Sequence, residues 1–550
     1  MRPCRLAETH RLGYRSRPMS LYKSFATVGG LTAVSRVLGF VRDQLIAYVL
    51  GTGYVADAFI VAFRIPNLFR RLFAEGAFNS AFVPLFATRL EGEGTAAAKR
   101  FAEDALAGLT LVLVLFTIAA EVAMPWLMPA IAVGFTGNQE KFDLTVLLTR
   151  IAFPYLICMS LMALYAGVLS GLRQFAAASA AQILLNVVLT IAMGIAYWLG
   201  LTKSPMAGIV LASAVTVAGV VQLAMLARDS ARHGMRLHWR WPSITPDVSR
   251  LVTLGVPALI AGGITQLNII VGTNIASLQP GANSYLYYAD RLYQLPLGIV
   301  GIAIGIVLLP DIARQLESGN VEAVHDSQNR SIEFALLLTL PAAVALAVVP
   351  LPIIRVLFER GAFTAADSPP TAWALSAFAW GLPAFVLNKV LSPAYFARSD
   401  TRTPMNFALL NLVVNALGSV ALFEVLQRLG YLPHIGIAIA TTLAAWLNVA
   451  QLWHTLHRRG HYESDDRLSR NLPRIALASV LMGVVILPLG IWLEPWFHRS
   501  HGALVQVSAL GALVGSGLVV FALATQLLGV ASWSGIARQM LRRKRRSGAA

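Results

Sequence analysis

The chain holds 550 residues, 57% of them hydrophobic and only 13% charged, with a formal net charge of +17. About a quarter of a soluble protein's residues are charged, so this composition excludes an ordinary soluble enzyme. With mean hydropathy at +0.65, it reads as an all-α polytopic membrane protein. The positive balance would point to nucleic acid in a soluble chain. Here the basic residues gather in short loops and tails, where membrane topology accounts for them and no nucleic-acid partner is implied.

Residues 1–18, MRPCRLAETHRLGYRSRP, are basic and lack the apolar run of a secretory signal. They read as a disordered extension before Met19. Of the two cysteines, Cys4 lies in this polar stretch and Cys158 in an apolar segment, so no disulfide framework is implied.

Fourteen apolar segments follow, at roughly 21–50, 57–88, 103–133, 142–170, 175–200, 206–228, 249–277, 284–316, 330–357, 370–397, 405–428, 434–456, 473–495 and 503–528. Each is long enough to cross a bilayer as a helix, which takes about 20 residues. The connections alternate in charge. One set carries Arg89, Lys99, Arg100, Arg173, Arg228 to Arg240, Arg314, Arg398, Arg402 and Arg458 to Arg470; the other holds little beyond Lys141, Lys203, Arg360 and Arg499. By the positive-inside bias the first set and both termini are expected in the cytoplasm.

The chain also repeats itself. Pro154, Ser170, Arg173 and Asn186 recur as Pro383, Ser399, Arg402 and Asn415, a shift of 229 residues, while Gly53 and Phe135 recur 228 residues later as Gly281 and Phe363. Such a repeat predicts two pseudo-symmetric six-helix lobes inserted in the same orientation. The first lobe is expected over 19–232 and the second over 249–459. Between them runs a basic linker, 233–248, which contains HWRWPSITPD. It reads either as an amphipathic piece lying on the cytoplasmic interface beside anionic lipid or as a plain solvated connector. Residues 460–530 add a C-terminal helix pair outside the repeat, and 531–550 form a basic tail.

Charges inside the apolar segments mark the functional region, because each costs roughly 2.5–3.5 kcal/mol at mid-bilayer. The first two segments hold Arg36, Arg42, Asp43, Asp57, Arg64, Asn67, Arg70, Arg71 and Glu75, and the eighth holds Asp290 and Arg291. Arg36 and Asp43 are seven residues apart, as are Asp57 and Arg64, which puts each pair on one helix face. Two readings stay open: the acids neutralise Arg36 and Arg64, or the arginines line a cleft for an anionic cargo. Arg42, Arg70 and Arg291 outnumber nearby acids and suit phosphate, since a guanidinium can bond two oxygens at once. Asp290 and Arg291 form either a local pair or part of a cradle with Arg42 and Arg70. Lys389, in the tenth segment, lines the cleft or is paired within a lobe. No Walker A loop, HExxH or paired CxxC occurs, so neither ATP hydrolysis by that route nor a metal is expected.

The stretches SRVLGFVRD, DAFIVAFRIPNLFRRLFAEGAFNSAFVP and YYADRL resemble the MurJ (MviN-type) lipid II flippases of the multidrug/oligosaccharidyl-lipid/polysaccharide exporter superfamily. The resemblance implies a transporter, not an enzyme. Its cargo would be lipid II, flipped from the cytoplasmic to the periplasmic leaflet of a bacterial inner membrane by alternating access of two lobes. Family arginines matching Arg36, Arg42, Arg70 and Arg291 are required for function. Asp43 and Asp57 match acidic cavity residues, and Ser35, Asn67 and Ser284 match polar ones. The final helix pair would hold the lipid tail. Where some members carry an acid three residues beyond the YYADR arginine, this chain has Gln294. No cofactor is expected; the candidates for coupling are the membrane potential and a monovalent cation. The protein is expected to work as a monomer among membrane lipids, with cell-wall synthesis proteins as further partners. The competing readings are a flippase for another polyprenyl-pyrophosphate oligosaccharide, a cation-coupled drug exporter, and a scaffold that recruits cell-wall enzymes.

Overall fold

The computed structural model describes residues 21–70, 78–243 and 245–530. Within these, the side chains of 21–28, 69, 70, 80, 256–262, 264, 265, 299 and 301–307 are not described. The expected extension 1–18, the tail 531–550, Arg71, Glu75 and the side chain of Arg70 therefore lie outside the described residues.

Among the described residues every regular element is helical. In the first half run α1 (Leu21–Leu50), α2 (Tyr54–Arg70), α3 (Phe78–Gly92), α4 (Thr95–Ile131), α5 (Gln139–Ala152), α6 (Tyr155–Gly171), α7 (Ala176–Trp198) and α8 (Pro205–Arg232). In the second run α9 (Pro246–Ala276), α10 (Ala282–Glu317), α11 (Val321–Val348), α12 (Pro350–Phe358), α13 (Ser368–Ala379), α14 (Leu382–Phe396), α15 (Arg402–Arg428) and α16 (His434–Arg458); α17 (Asp466–Trp492) and α18 (Gly502–Leu527) close the chain. Ten of the described helical stretches are long and apolar enough to cross a membrane.

Local sequence explains the boundaries. Ser204 and Thr245 cap α8 and α9, each followed by a proline that has no N–H to leave unpaired. Asp465 caps α17 through the Leu468 amide at 2.7 Å. The fourth and tenth apolar segments are both broken near their repeated proline: α5 gives way to α6 at Pro154, and α13 to α14 just before Pro383.

The helix pairings of the first half recur in the second. α1 packs on α7, α7 on α8, α2 on α5 and α6 on α8; likewise α9 packs on α15, α15 on α16, α10 on α13 and α14 on α16. The repeated asparagines do matching work. Asn186 of α7 bonds to α1 through the Ser35 carbonyl, and Asn415 of α15 bonds to Asn268 of α9. α17 packs on α11 and α18, and α18 on α12, so among the described residues the added pair rests chiefly on the second half. Its outer faces, including Val484 and Leu518, are bare apolar surface, as a helix facing lipid requires.

Several hydrogen bonds join the halves at the end of the bundle that carries the α1–α2 turn. The Ala362 amide donates to the Tyr48 carbonyl at 2.7 Å, the Tyr288 hydroxyl to the Gly51 carbonyl at 2.8 Å, and the Gly134 amide to Ser277 Oγ at 2.8 Å. Gly51 has φ of +67°, and a Cβ there would fall 2.6 Å from the Ala362 carbonyl oxygen. Conformation and close approach both demand glycine at this position.

Candidate functional site

A cavity of about 420 Å³ opens between the halves, lined from the first by Arg42, Arg64 and Asn67 and from the second by Thr273, Tyr287, Asp290, Arg291 and Gln294. The polar faces of α1, α2, α9 and α10 turn toward it, which is where intramembrane charge has to go.

Asp43 is its organising group. It is buried, and its Oδ1 accepts from Arg42 Nε at 3.0 Å, Arg42 Nη2 at 2.7 Å and the Tyr287 hydroxyl at 2.9 Å. Its Oδ2 lies 3.8 Å from Arg291 Nε. One carboxylate from α1 thus holds an arginine of its own helix and faces another from α10. Arg42 is fixed further by Asn186, whose Oδ1 accepts from Nη1 at 2.9 Å. Arg291 stacks over the Tyr287 ring at 4.6 Å and lies 3.5 Å from Asp290, which also accepts from Gln294. Arg291 Nε is buried without a hydrogen-bond partner among the described residues.

Of the two readings left open for Arg36 and Arg64, the structure does not show the one in which Asp43 and Asp57 neutralise them. Asp43 neutralises Arg42, not Arg36, and Asp57 pairs with Lys141, not Arg64. Residues seven apart share a face but stand about 10 Å apart along the axis, beyond the spacing at which helical neighbours meet. Arg64 instead crosses to the second half, donating to Thr273 Oγ1 at 2.8 Å and Asn283 Oδ1 at 3.2 Å. Lys141, which the charge pattern placed among loop residues, lies in α5 and is buried.

Asp57 is fully buried and does not line the cavity. Its oxygens accept from Lys141 Nζ at 2.7 Å, the Gly281 and Ser284 amides at 2.9 and 3.0 Å, and Ser284 Oγ at 2.6 Å. A carboxylate from α2 therefore caps the N-terminus of α10, where the orphan amides and helix dipole favour an anion. Ser284 is part of this cap.

Arg36 sits apart from these groups, exposed, with its guanidinium against Gly298 of α10 and within electrostatic reach of Lys389 of α14. Ser35 contributes its carbonyl to Asn186, and Asn67 binds the Phe63 carbonyl while lining the cavity. Sequence reasoning missed Asn186, Tyr287 and Lys141 as members of these networks. The first was signalled by its repeat at Asn415, and the third by being one of the few basic residues on the sparsely charged side. Chemically the site offers guanidinium groups from both halves, only partly neutralised, to an anionic group that enters between them.

The family profile described as "Lipid II flippase MurJ" matches residues 46–506. A "Probable lipid II flippase MurJ" of Rhizobium tropici is 47% identical over 528 residues, which covers 96% of this chain and 98% of the relative. The chain belongs to the lipid II flippase MurJ family. Its likeness extends to the "Lipid II flippase MurJ" of Burkholderia cenocepacia, 34% identical over 85% of this chain and 90% of that one. Among solved structures, "Lipid II flippase MurJ, inward closed conformation" aligns with a TM-score of 0.73 at 24% identity, covering 91% of this chain and 98% of that chain. An inward-facing MATE family multidrug transporter of the MOP superfamily aligns with a TM-score of 0.63 at 16% identity, covering 78% and 95%. The MurJ fold is thus shared with drug exporters, and the cavity residues have to separate the two functions.

Proposed function

We propose that this MurJ-family chain flips lipid II from the cytoplasmic to the periplasmic leaflet of a bacterial inner membrane. The observation that carries this reading, in a chain of this family, is the convergence of Arg42 and Arg64 from the first half with Arg291 from the second on one intramembrane cavity. The pyrophosphate would engage these guanidinium groups, and Arg36 and Lys389 would extend the cationic path. The isoprenoid tail would stay in lipid along α17 and α18, which spares the cost of about 0.8 kcal/mol for each methylene taken from hydrocarbon.

Fourteen spans, with both termini in the cytoplasm, accommodate the helices and the charge of their connections. The recurring helix pairs support two lobes that rock about the cavity. In this orientation the hydrogen bonds around Gly51, Ser277 and Asp57 close the periplasmic end, so the cytoplasmic end receives cargo. For coupling, the membrane potential acts on the excess positive charge of an empty site. A monovalent cation has a candidate seat: Asn388, Asn411 and Asn448, whose buried Oδ1 atoms have no hydrogen-bond partner among the described residues, line one 210 Å³ cavity with Asn268, Asn415 and Thr441. Such acceptors call for water or an ion. A drug exporter would need an acidic cavity for its cationic cargo; this one carries three arginines against Asp43 and Asp290.

The test is complementation of a conditional lipid II flippase depletion, read as lipid II reaching the periplasmic leaflet. Restored flipping by the wild-type chain, lost in Arg42→Ala and Arg291→Ala at equal expression, is expected. A well-expressed wild-type chain that restores nothing would overturn the assignment. Variants that all flip normally would remove the arginine cavity from it.

A further inference from the structure

The linker between the halves is not a free connector. After α8 it passes along α4, where Glu103, only 2% exposed, accepts from the His238 amide at 3.1 Å and forms an ion pair with Arg240 Nε at 2.7 Å. These bonds pin the linker and leave a recess of about 490 Å³ lined by Lys99, Arg100, Glu103, His238, Trp239 and Arg240. Its one carboxylate is already consumed by Arg240, the His238 amide and Lys99, the last at 3.8 Å. Asp104 also feels Arg240, and Asp247 is held by Arg89 at 2.6 Å. Among the described residues Arg100 forms no ion pair, and Lys99 forms only that distant contact. Arg240, whose side chain is 49% exposed, reaches Glu103 through Nε.

Directly beside the recess stand two bare indoles. Trp239 is 55% exposed and Trp241 85% exposed, with ring centroids 5.5 Å apart. Tryptophan in that state is at home in the headgroup region of a bilayer, where an apolar ring and a polar N–H are both accommodated. Exposed Arg236 and Arg232 continue the positive strip. Cations that match phosphate, next to indoles that match the membrane interface, define an amphipathic ligand whose charge and apolar part are joined.

We propose that this recess binds the headgroup of an anionic phospholipid of the cytoplasmic leaflet, with its phosphate on Lys99, Arg100 and Arg240 and its glycerol and upper acyl region against Trp239 and Trp241. The inference rests on the cytoplasmic placement of the linker and is separate from the cargo cavity. The lipid would act as a fixed anchor for the segment joining the two moving halves, and Arg89–Asp247 ties that segment's far end back to α3.

The experiment uses the full chain in detergent, titrated with phosphatidylglycerol, phosphatidylcholine or inorganic phosphate and read by native mass spectrometry of bound lipid. The wild-type chain is expected to retain phosphatidylglycerol over phosphatidylcholine, and the double variant Lys99→Gln/Arg100→Gln to lose that preference by about tenfold or more. Both replaced side chains reach solvent, so melting should stay unchanged. Trp241→Leu is expected to shorten lipid retention without changing the headgroup preference. An unchanged preference in a normally melting double variant would overturn the proposal. So would inorganic phosphate displacing the lipid at equal concentration, which would mark a free-phosphate site. Because binding and not flipping is measured, either failure leaves the lipid II reading intact.

Discussion

Lys141 Nζ lies 2.7 Å from Asp57 Oδ2, and both groups are buried. The pair belongs to the first half, yet its carboxylate caps α10 of the second, so the charge that joins the halves is balanced from behind. Removing either partner of such a pair typically costs about 3–5 kcal/mol, because the other charge is left uncompensated. Lys141→Met and Asp57→Asn should each lower stability by that order in detergent, while the double variant should recover a large part of the loss. Additivity within about 0.5 kcal/mol would show that the two side chains are not coupled.

The pairing also shows where sequence reading ends. The apolar segments and the repeat were legible because they depend on composition and spacing along one chain. Each predicted segment overlaps one described helix or an adjacent pair. The neighbours Asp290 and Arg291 were legible as a local pair, but the partners of Asp57 and Arg64 were not. Asp57 meets α5 and α10, and Arg64 meets α9 and α10, contacts set by packing between helices far apart in sequence. Same-face spacing pointed to Arg36–Asp43 and Asp57–Arg64, but two turns of axial separation kept those groups apart. Asn186 was the accessible clue, since its recurrence as Asn415 marked a position where α7 and α15 each hold the first helix of their half.

Gly298 is the receptacle for Arg36. A Cβ there would fall 1.6 Å from Arg36 Nη1 and 2.8 Å from Cζ. The obstructed atoms are the end of a flexible side chain, so Gly298→Ala should fold with a stability change within about 0.5 kcal/mol. The guanidinium must nevertheless leave α10. Lipid II flipping is expected to fall to the level of Arg36→Ala at equal expression; wild-type flipping by Gly298→Ala would show that the position of Arg36 is not critical.

Asp43 competes with any anion for Arg42 and Arg291. In Asp43→Asn both guanidinium groups keep a polar neighbour but lose the negative charge. Headgroup binding should tighten by about tenfold or more, because a like-charge contact with the pyrophosphate disappears. Turnover should drop, since release then lacks the carboxylate that takes the arginines back. Bound lipid II and flipping rate, measured on the same preparations, should move in opposite directions. A fall in both would assign Asp43 to positioning alone.

The final helix pair is held at both ends, and burial ranks the two attachments. Glu333 of α11, 7% exposed, accepts from Asn471 of α17 at 2.7 Å and pairs with Arg467 at 3.3 Å and with Arg330. At the other end Glu494, 45% exposed, accepts from Arg355 Nη1 at 2.7 Å. Glu333→Ala strips a buried cluster and should cost about 3–5 kcal/mol. Glu494→Gln opens a solvated pair and should cost under about 1 kcal/mol. The Arg355 hydrogen bond holds the Glu494 carboxyl below its ordinary range. A depressed carboxyl gives stability that is complete above its unfolded pKa of about 4.3 and is lost as pH falls through the lower folded value. The melting difference between wild type and Glu494→Gln should therefore be constant from pH 8 to about 5 and shrink only on further acidification. A difference that already fades between pH 7 and 6 would show that the Arg355–Glu494 contact does not set the pH dependence of that attachment.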